Sequence, residues 1–123
     1  MWSVQGVDGV PVLVEVERPP VGAGEILLEV VAAGVNRADL LQVAGHYPPP
    51  AGAPQTLGLE AAGTVVEVGP GVDPVWLGRA AVALVEGGAQ AQFCVALRIW
   101  LCLYLFPGDS TAMLRGLPCW KRR

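Results

Sequence analysis

The sequence predicts a mainly β fold with one short helix. Its 16 glycines and 11 prolines among 123 residues interrupt the chain too often for long helices. Apolar residues make up 53% and charged residues 15%, so the chain is too apolar for disorder. Short apolar runs bounded by turn residues are typical of strands. The length suits a single domain with its own core.

Five apolar runs are predicted as strands, at 10–17, 25–33, 60–69, 80–85 and 90–96. The first alternates in part between apolar and acidic residues, which is typical of a half-exposed strand. The second is more continuously apolar and is predicted to be buried. Glu86-Gly87-Gly88 separates the last two runs and predicts a hairpin between them.

The only convincing helix begins near Asn36. Asn36 can accept hydrogen bonds from the free backbone N–H groups of the first turn, and Asp39 lies favourably near the positive helix end. Gly45 suits a left-handed residue at the helix end, and the prolines at 48–50 prevent continuation.

Charge is distributed unevenly along the chain. Residues 1–97 carry ten acidic residues against three arginines, a net charge of −7. Residues 98–123 carry five basic residues against one acidic residue, a net charge of +4. We therefore predict a domain at 1–97 followed by a divergent, poorly ordered tail at 98–123. The acidic main part argues against a nucleic-acid partner.

Composition also indicates the compartment. Three cysteines without a C-x-x-C pair suggest neither a disulfide framework nor a zinc clip. The longest apolar run, 99–106, is too short to span a bilayer, so no stable membrane insertion is expected. No leader-like start is visible. We expect a cytoplasmic protein.

Three motifs follow one another between residues 34 and 63: Gly34-Val-Asn-Arg-Ala-Asp39, Gly45-His-Tyr-Pro-Pro-Pro50 and Gly58-Leu-Glu-Ala-Ala-Gly63. In this order and spacing they resemble the zinc-independent quinone oxidoreductase branch of the medium-chain dehydrogenase/reductases. The mammalian subgroup induced by a tumour suppressor is the most similar. The resemblance implies a chaperonin-10-like (GroES-like), partly open barrel that supplies the substrate side of a cleft.

In that family a Rossmann domain supplies the other side of the cleft. We find no Gly-x-Gly-x-x-Gly between a strand and a helix, so the Rossmann domain is expected to be absent. The resemblance implies hydride transfer from NADPH to a small-molecule quinone, here in a truncated product that diverges after Ala96. The alternative is a non-catalytic β-barrel module that pairs with another copy, or with the full-length enzyme, through exposed sheet edges.

The resemblance also implies two site residues. Asn36 is the predicted cofactor-binding residue and Tyr47 the predicted catalytic residue, because family members place both beside the nicotinamide and the substrate. Two structural alternatives remain open: Asn36 as a helix cap only, and Tyr47 as a loop anchor packed on the prolines. Arg37 and Asp39 are interpreted as a solvated helix pair, with shaping of the cleft as the alternative. Glu60 is interpreted as an ordinary charge at a strand edge, because the motif alone assigns it no chemical role.

No metal site is predicted. Zinc-dependent relatives have a cysteine near the start of this helix and a Gly-His-Glu before the following strand. This chain has Val35-Asn36 and Gly58-Leu59-Glu60 at those places. Without a thiolate or an imidazole there, a catalytic tetrahedral zinc site cannot be assembled.

Overall fold

Strands dominate the computed structural model, which describes residues 1–46, 48, 51–97 and 101–103. This confirms the predicted mainly β fold with one short α-helix. Within the described residues no helix is long and apolar enough to cross a membrane. The strands are β1 Trp2–Val7, β2 Val10–Glu15, β3 Glu25–Ala33, β4 Glu60–Val68, β5 Ala80–Leu84, β6 Phe93–Leu97 and β7 Leu101–Leu103; α1 is Arg37–Val43, and Pro74–Trp76 forms a 3₁₀ turn.

Two antiparallel sheets build the fold. One is the β1–β2 hairpin, and the other has the strand order β6-β3-β4-β5-β7. The outer edge of β1 bonds to loops of the larger sheet: the Val4 N–H donates to the Gln90 carbonyl at 2.9 Å, and the Leu57 N–H donates to the Val4 carbonyl at 2.8 Å. The sheets are joined without closing, in agreement with the partly open barrel that the family resemblance implies.

The main hydrophobic cluster is built on strands of the larger sheet, and Leu27 is buried on the opposite face of β3 from Ile26 and Leu28. The buried members of this cluster are aliphatic and mostly small, which lets loop residues pack closely on the strands. They are Ile26, Leu28, Val65, Val72, Ala81, Ala83 and Ala96. A second cluster contains Ala61, Ala89 and Cys94. Burial raises the pKa of the Cys94 thiol to about 12, so this cysteine stays protonated at neutral pH and serves as a small core residue.

The β5 and β6 strands do not form the predicted hairpin. They lie on opposite sides of the β3–β4 pair, and the chain between them crosses the end of the sheet. The Gly88 backbone has a φ of 93°, and its N–H donates to the Thr56 carbonyl at 2.8 Å. A Cβ at Gly87 would lie 3.0 Å from the Pro54 carbonyl oxygen. The glycine pair therefore allows close approach to the 54–56 loop rather than a tight reversal.

The hairpin lies instead at the start of the chain. Asp8 and Gly9 connect β1 and β2 with φ angles of 50° and 77°, the positive values that a two-residue type I′ turn requires. We did not predict β1: its first four residues alternate between apolar and polar, but Gly6 interrupts the pattern after Gln5. The β2 strand is exposed along most of its length rather than half-exposed.

The predicted boundary at residue 97 stays a prediction. Within the predicted tail, the described backbone at 101–103 forms β7, which pairs with β5 through Ala81, Val82 and Ala83.

Gly63 lies at the most crowded backbone position of β4, which is central in the sheet. A Cβ there would overlap the Glu29 carbonyl oxygen on β3. We expect Gly63→Ala to lower the free energy of unfolding by more than about 3 kcal/mol, because β3 and β4 must separate and lose ladder hydrogen bonds. Gly9→Ala is the matched control, since nothing lies within 4 Å of its Cβ. Only backbone strain of about 1 kcal/mol remains there. Urea unfolding followed by circular dichroism measures the free energy of unfolding of both variants. Equal decreases for Gly63→Ala and Gly9→Ala would contradict the prediction.

Candidate functional site

The candidate site lies where α1 begins, next to the first residue of β4. Asn36 precedes the helix with an extended backbone, at φ −111° and ψ 157°. Asp39 lies in the first helical turn, and Glu60 begins β4. Gln90 reaches the same place from the loop before β6. The site thus joins residues that are far apart in the sequence.

The side chain of Asn36 is oriented by Glu60. Its Nδ2 donates to Glu60 Oε1 at 3.2 Å. A carboxylate only accepts hydrogen bonds, so the amide nitrogen must face Glu60 and the carbonyl Oδ1 must point away. Asn36 also forms a capping box with Asp39, in which the Asn36 side chain faces the Asp39 N–H and the Asp39 carboxylate accepts from the Asn36 N–H. Asn36 is therefore both the cap residue of α1 and a partner of Glu60.

Asp39 is a buried structural carboxylate, and its interpretation as part of a solvated pair is wrong. Its side chain is 2% exposed. Oδ2 accepts from the Asn36 backbone N–H at 2.7 Å and from Gln90 Nε2 at 3.4 Å. Oδ1 has no partner among the described residues. The neighbouring Arg37 is exposed, as expected. The sequence pattern did not indicate Gln90 as a site residue. Gln90 comes close to Asp39 because the order of the strands in the sheet places the loop before β6 next to α1.

Gly34 holds Glu60 in place. The Gly34 N–H donates to the Glu60 carbonyl at 3.1 Å. A Cβ at Gly34 would overlap the Glu60 carboxyl group. Gly34 of the first motif is thus needed because a side chain at this position would clash with Glu60 of the third motif. Glu60 begins a strand, as predicted, but its half-buried carboxylate binds the Asn36 amide instead of only facing water.

Two exposed apolar residues lie near Asn36 in the chain, one directly before it and one a helical turn after it. Val35 is 77% exposed and Leu40 is 64% exposed. An oriented amide carbonyl beside apolar side chains is the combination that holds a flat ligand with a polar edge. The described residues contain no group of three or more His, Cys, Asp or Glu side chains arranged to hold a metal ion.

Tyr47 lies outside the described residues, so its catalytic role stays a prediction. The chain leading to it is described. Gly45 has the left-handed φ of 75° expected at the helix end. The exposed His46 donates its backbone N–H to the Leu41 carbonyl at 2.8 Å.

Comparison with known families agrees with this architecture. Residues 22–116 match the model of the alcohol dehydrogenase GroES-like domain. The chain belongs to this family. The GroES-like match covers every strand from β3 to β7 and the whole candidate site.

Relatives of this GroES-like chain include several kinds of oxidoreductase. It is 36% identical to mouse quinone oxidoreductase-like protein 2 over 81 residues, which cover 66% of this chain and 23% of the relative. It is 36% identical to Escherichia coli S-(hydroxymethyl)glutathione dehydrogenase over 92 residues, which cover 74% and 25%. The match to polyketide synthase GfsB of Streptomyces halstedii is 41% over 69 residues and covers 1% of that protein.

Solved structures give the same result. Mycobacterial Rv1454c complexed with NADPH superposes with a TM-score of 0.74 at 31% identity, covering 89% of this chain and 35% of that one. The quinone oxidoreductase of Escherichia coli complexed with NADPH gives 0.72 at 30% identity, covering 84% and 33%. The GroES-like chain thus spans about a third of these structures and about a quarter of the mouse quinone oxidoreductase-like protein and the Escherichia coli dehydrogenase above.

Asp39 holds the start of α1 and the loop before β6 together through its hydrogen bonds to Asn36 and Gln90. Asp39→Ala removes the acceptor of the Asn36 N–H and of Gln90, so we expect a loss of about 1–3 kcal/mol in the free energy of unfolding. Arg37→Ala makes the same truncation on the same turn at an exposed position, and should cost within about 0.5 kcal/mol. Denaturant unfolding at neutral pH compares the two. A loss for Asp39→Ala no larger than for Arg37→Ala would show that the buried carboxylate does not hold the helix start.

Proposed function

We propose that this chain forms the substrate side of an NADPH-dependent quinone oxidoreductase of the zinc-independent branch, nearest the mammalian tumour-suppressor-inducible subgroup. The observation that carries the proposal is the Asn36 amide, oriented by Glu60 at an apolar surface. NADPH-bound quinone oxidoreductase structures among its relatives support the choice of cofactor. A small-molecule quinone is the proposed substrate and the cytoplasm the proposed location.

The site fits the nicotinamide end of NADPH. Because the Asn36 amide nitrogen is turned toward Glu60, Oδ1 points away from it, and its second lone pair can accept from the carboxamide of a nicotinamide beside the capping contact to Asp39. When bound, NADPH supplies the hydride for reduction of the quinone. Asn36 orients the cofactor, while Val35 and Leu40 exclude water from one side. Tyr47 donates a hydrogen bond to the quinone oxygen as negative charge develops there.

Zinc independence rests on the residues at two positions. Val35-Asn36 and Gly58-Leu59-Glu60 stand where the zinc-dependent relatives have a cysteine and a histidine. A catalytic zinc centre uses nitrogen and sulfur ligands, often with one carboxylate. Glu60 alone offers a carboxylate, and that carboxylate binds the Asn36 amide.

A second function is a non-catalytic module. The chain spans about a third of the NADPH-bound relatives, and its charge changes sign after residue 97. A truncated product of this kind would act through protein contacts, and the exposed β2 strand supports that alternative. NADPH titration of the chain followed by calorimetry separates the two. Saturable micromolar binding favours the enzyme; if this chain alone does not bind up to millimolar NADPH, the activity of the chimera described next decides between the two.

A chimera tests the proposed site. In it, residues 1–97 of this chain replace the matched segment of the Escherichia coli quinone oxidoreductase. We expect NADPH-dependent reduction of 1,4-benzoquinone. Asn36→Ala should raise the KM for NADPH about 10-fold, the value of one lost hydrogen bond. Tyr47→Phe should lower kcat at least about 100-fold if its hydroxyl acts as the acid.

Arg37→Ala is the control in the chimera, because the side chain is exposed, and should keep kcat and KM within about twofold. A folded chimera that binds NADPH but is unaffected by both site variants would refute the assigned roles.

A further inference from the structure

The β2 strand has one backbone edge that no described residue covers. Its other edge pairs with β1 in the register Trp2↔Glu15 to Val7↔Val10. Met1 and Val16 exchange hydrogen bonds of 2.6 and 2.8 Å across this pair. In an antiparallel pair, hydrogen-bonded positions alternate with positions whose backbone groups point outward. The alternation therefore turns the backbone of Pro11, Leu13 and Glu15 outward.

The same alternation is visible on β1, where the outward groups of Trp2 and Val4 are used. Val4 donates its N–H to the Gln90 carbonyl, and the Trp2 carbonyl accepts from the Gln92 N–H at 3.1 Å. Among the described residues, the hairpin is thus hydrogen-bonded to the larger sheet and its loops through β1 and not through β2. The free edge offers the N–H and C=O groups of Leu13 and Glu15 and the carbonyl of Pro11, since proline has no N–H.

Apolar side chains line this free strand. Val10, Val12 and Leu13 are exposed, and Leu13 is 61% exposed. Trp2, on the same face of the hairpin as Leu13, is 48% exposed. Exposed edge strands of this kind pair readily with another strand unless charges or prolines block them. Here the proline removes one donor, and the nearest carboxylates are at Asp8 and Glu15.

We propose that β2 is a self-association edge at which two copies of this chain pair antiparallel, with Leu13 opposite Leu13 on the two-fold axis. In this register the two Leu13 residues exchange both backbone hydrogen bonds. The Glu15 N–H of each copy donates to the Pro11 carbonyl of the other. Because Pro11 has no N–H, the Glu15 carbonyl of the other copy is left without a donor. This is the only backbone hydrogen bond that the proline removes in this register.

Side chains favour the same register. Val12 lies opposite Val14 of the second copy and Val10 lies opposite Val16, so apolar residues meet on one face. On the other face Leu13 meets Leu13, and Glu15 lies opposite Pro11. If the register shifted by two residues, Leu13 would lie opposite Glu15 of the other copy. The two Glu15 carboxylates would then be diagonal neighbours, and repulsion between them would disfavour this register. The result is a four-stranded sheet across the two copies, independent of any quinone chemistry.

Matched leucine variants test the edge. Leu13 and Leu40 are about equally exposed, at 61% and 64%, but only Leu13 lies on β2. We expect sedimentation equilibrium of the chain to show a dimer that dissociates on dilution. Leu13→Lys and Leu13→Pro should weaken dimerisation on the order of 100-fold, because the central hydrogen bonds or the apolar pair are lost. Leu40→Lys should leave it unchanged, and circular dichroism verifies that every variant is folded.

Cross-linking tests the register. Paired Cα atoms in a hydrogen-bonded antiparallel position lie about 5.5 Å apart, within the range that a disulfide bridges. Oxidation of Leu13→Cys should give a peptide joined from residue 13 to residue 13, while Leu40→Cys should give no such self-linked peptide. A chain that stays monomeric at millimolar concentration, or a dimer equally sensitive to Leu40→Lys and Leu13→Lys, would overturn the proposal.

Discussion

The antiparallel pairing of β3 with β4 is the constraint on which the rest of the structure depends. The two strands meet closely enough at Gly63 that no side chain fits, and β5 and β6 are added on their outer edges. The same pairing ends at Ala33↔Ala61, next to Gly34 and Glu60. The position of the Glu60 carboxylate is therefore fixed by the sheet and not by the loop that precedes it.

The site follows from that position. Glu60 fixes the orientation of the Asn36 amide, and Gly34 leaves the room that Glu60 needs. Asp39 holds the Asn36 backbone from the opposite side, at the cost of a buried carboxylate oxygen with no partner among the described residues. A buried unpaired polar atom is destabilising. The end of the central β3–β4 pair thus supports a short helix that would not be stable alone.

Local signals in the sequence predicted the parts of the fold that depend on local chemistry. β3 was predicted with its observed bounds, and Asn36 and Gly45 mark the ends of α1 as expected. Non-local pairing was not predictable in the same way. The sequence predicts a hairpin at Gly87-Gly88 because glycine permits a turn. In the structure β5 and β6 are not neighbours, and the two glycines pack closely against the 54–56 loop.

The contacts of the candidate site were not predictable from the motifs. Asn36 is a predicted site residue, but the sequence predicts Glu60 as an ordinary strand-end charge and Asp39 as a solvated helix residue. Its burial follows from the approach of Gln90, which arrives from a loop 51 residues further along the chain. Helical periodicity carries no information about a contact of that separation.

The contact between Asn36 and Glu60 is central to this account, and a double-mutant cycle measures it most directly. The free energies of unfolding of Asn36→Ala, Glu60→Ala and the double variant give the interaction energy of the pair. The account predicts a favourable coupling of about 1 kcal/mol, typical of one hydrogen bond to a charged group that is partly buried. Additive losses, with a coupling near zero, would show that Glu60 does not orient Asn36 and would contradict the account.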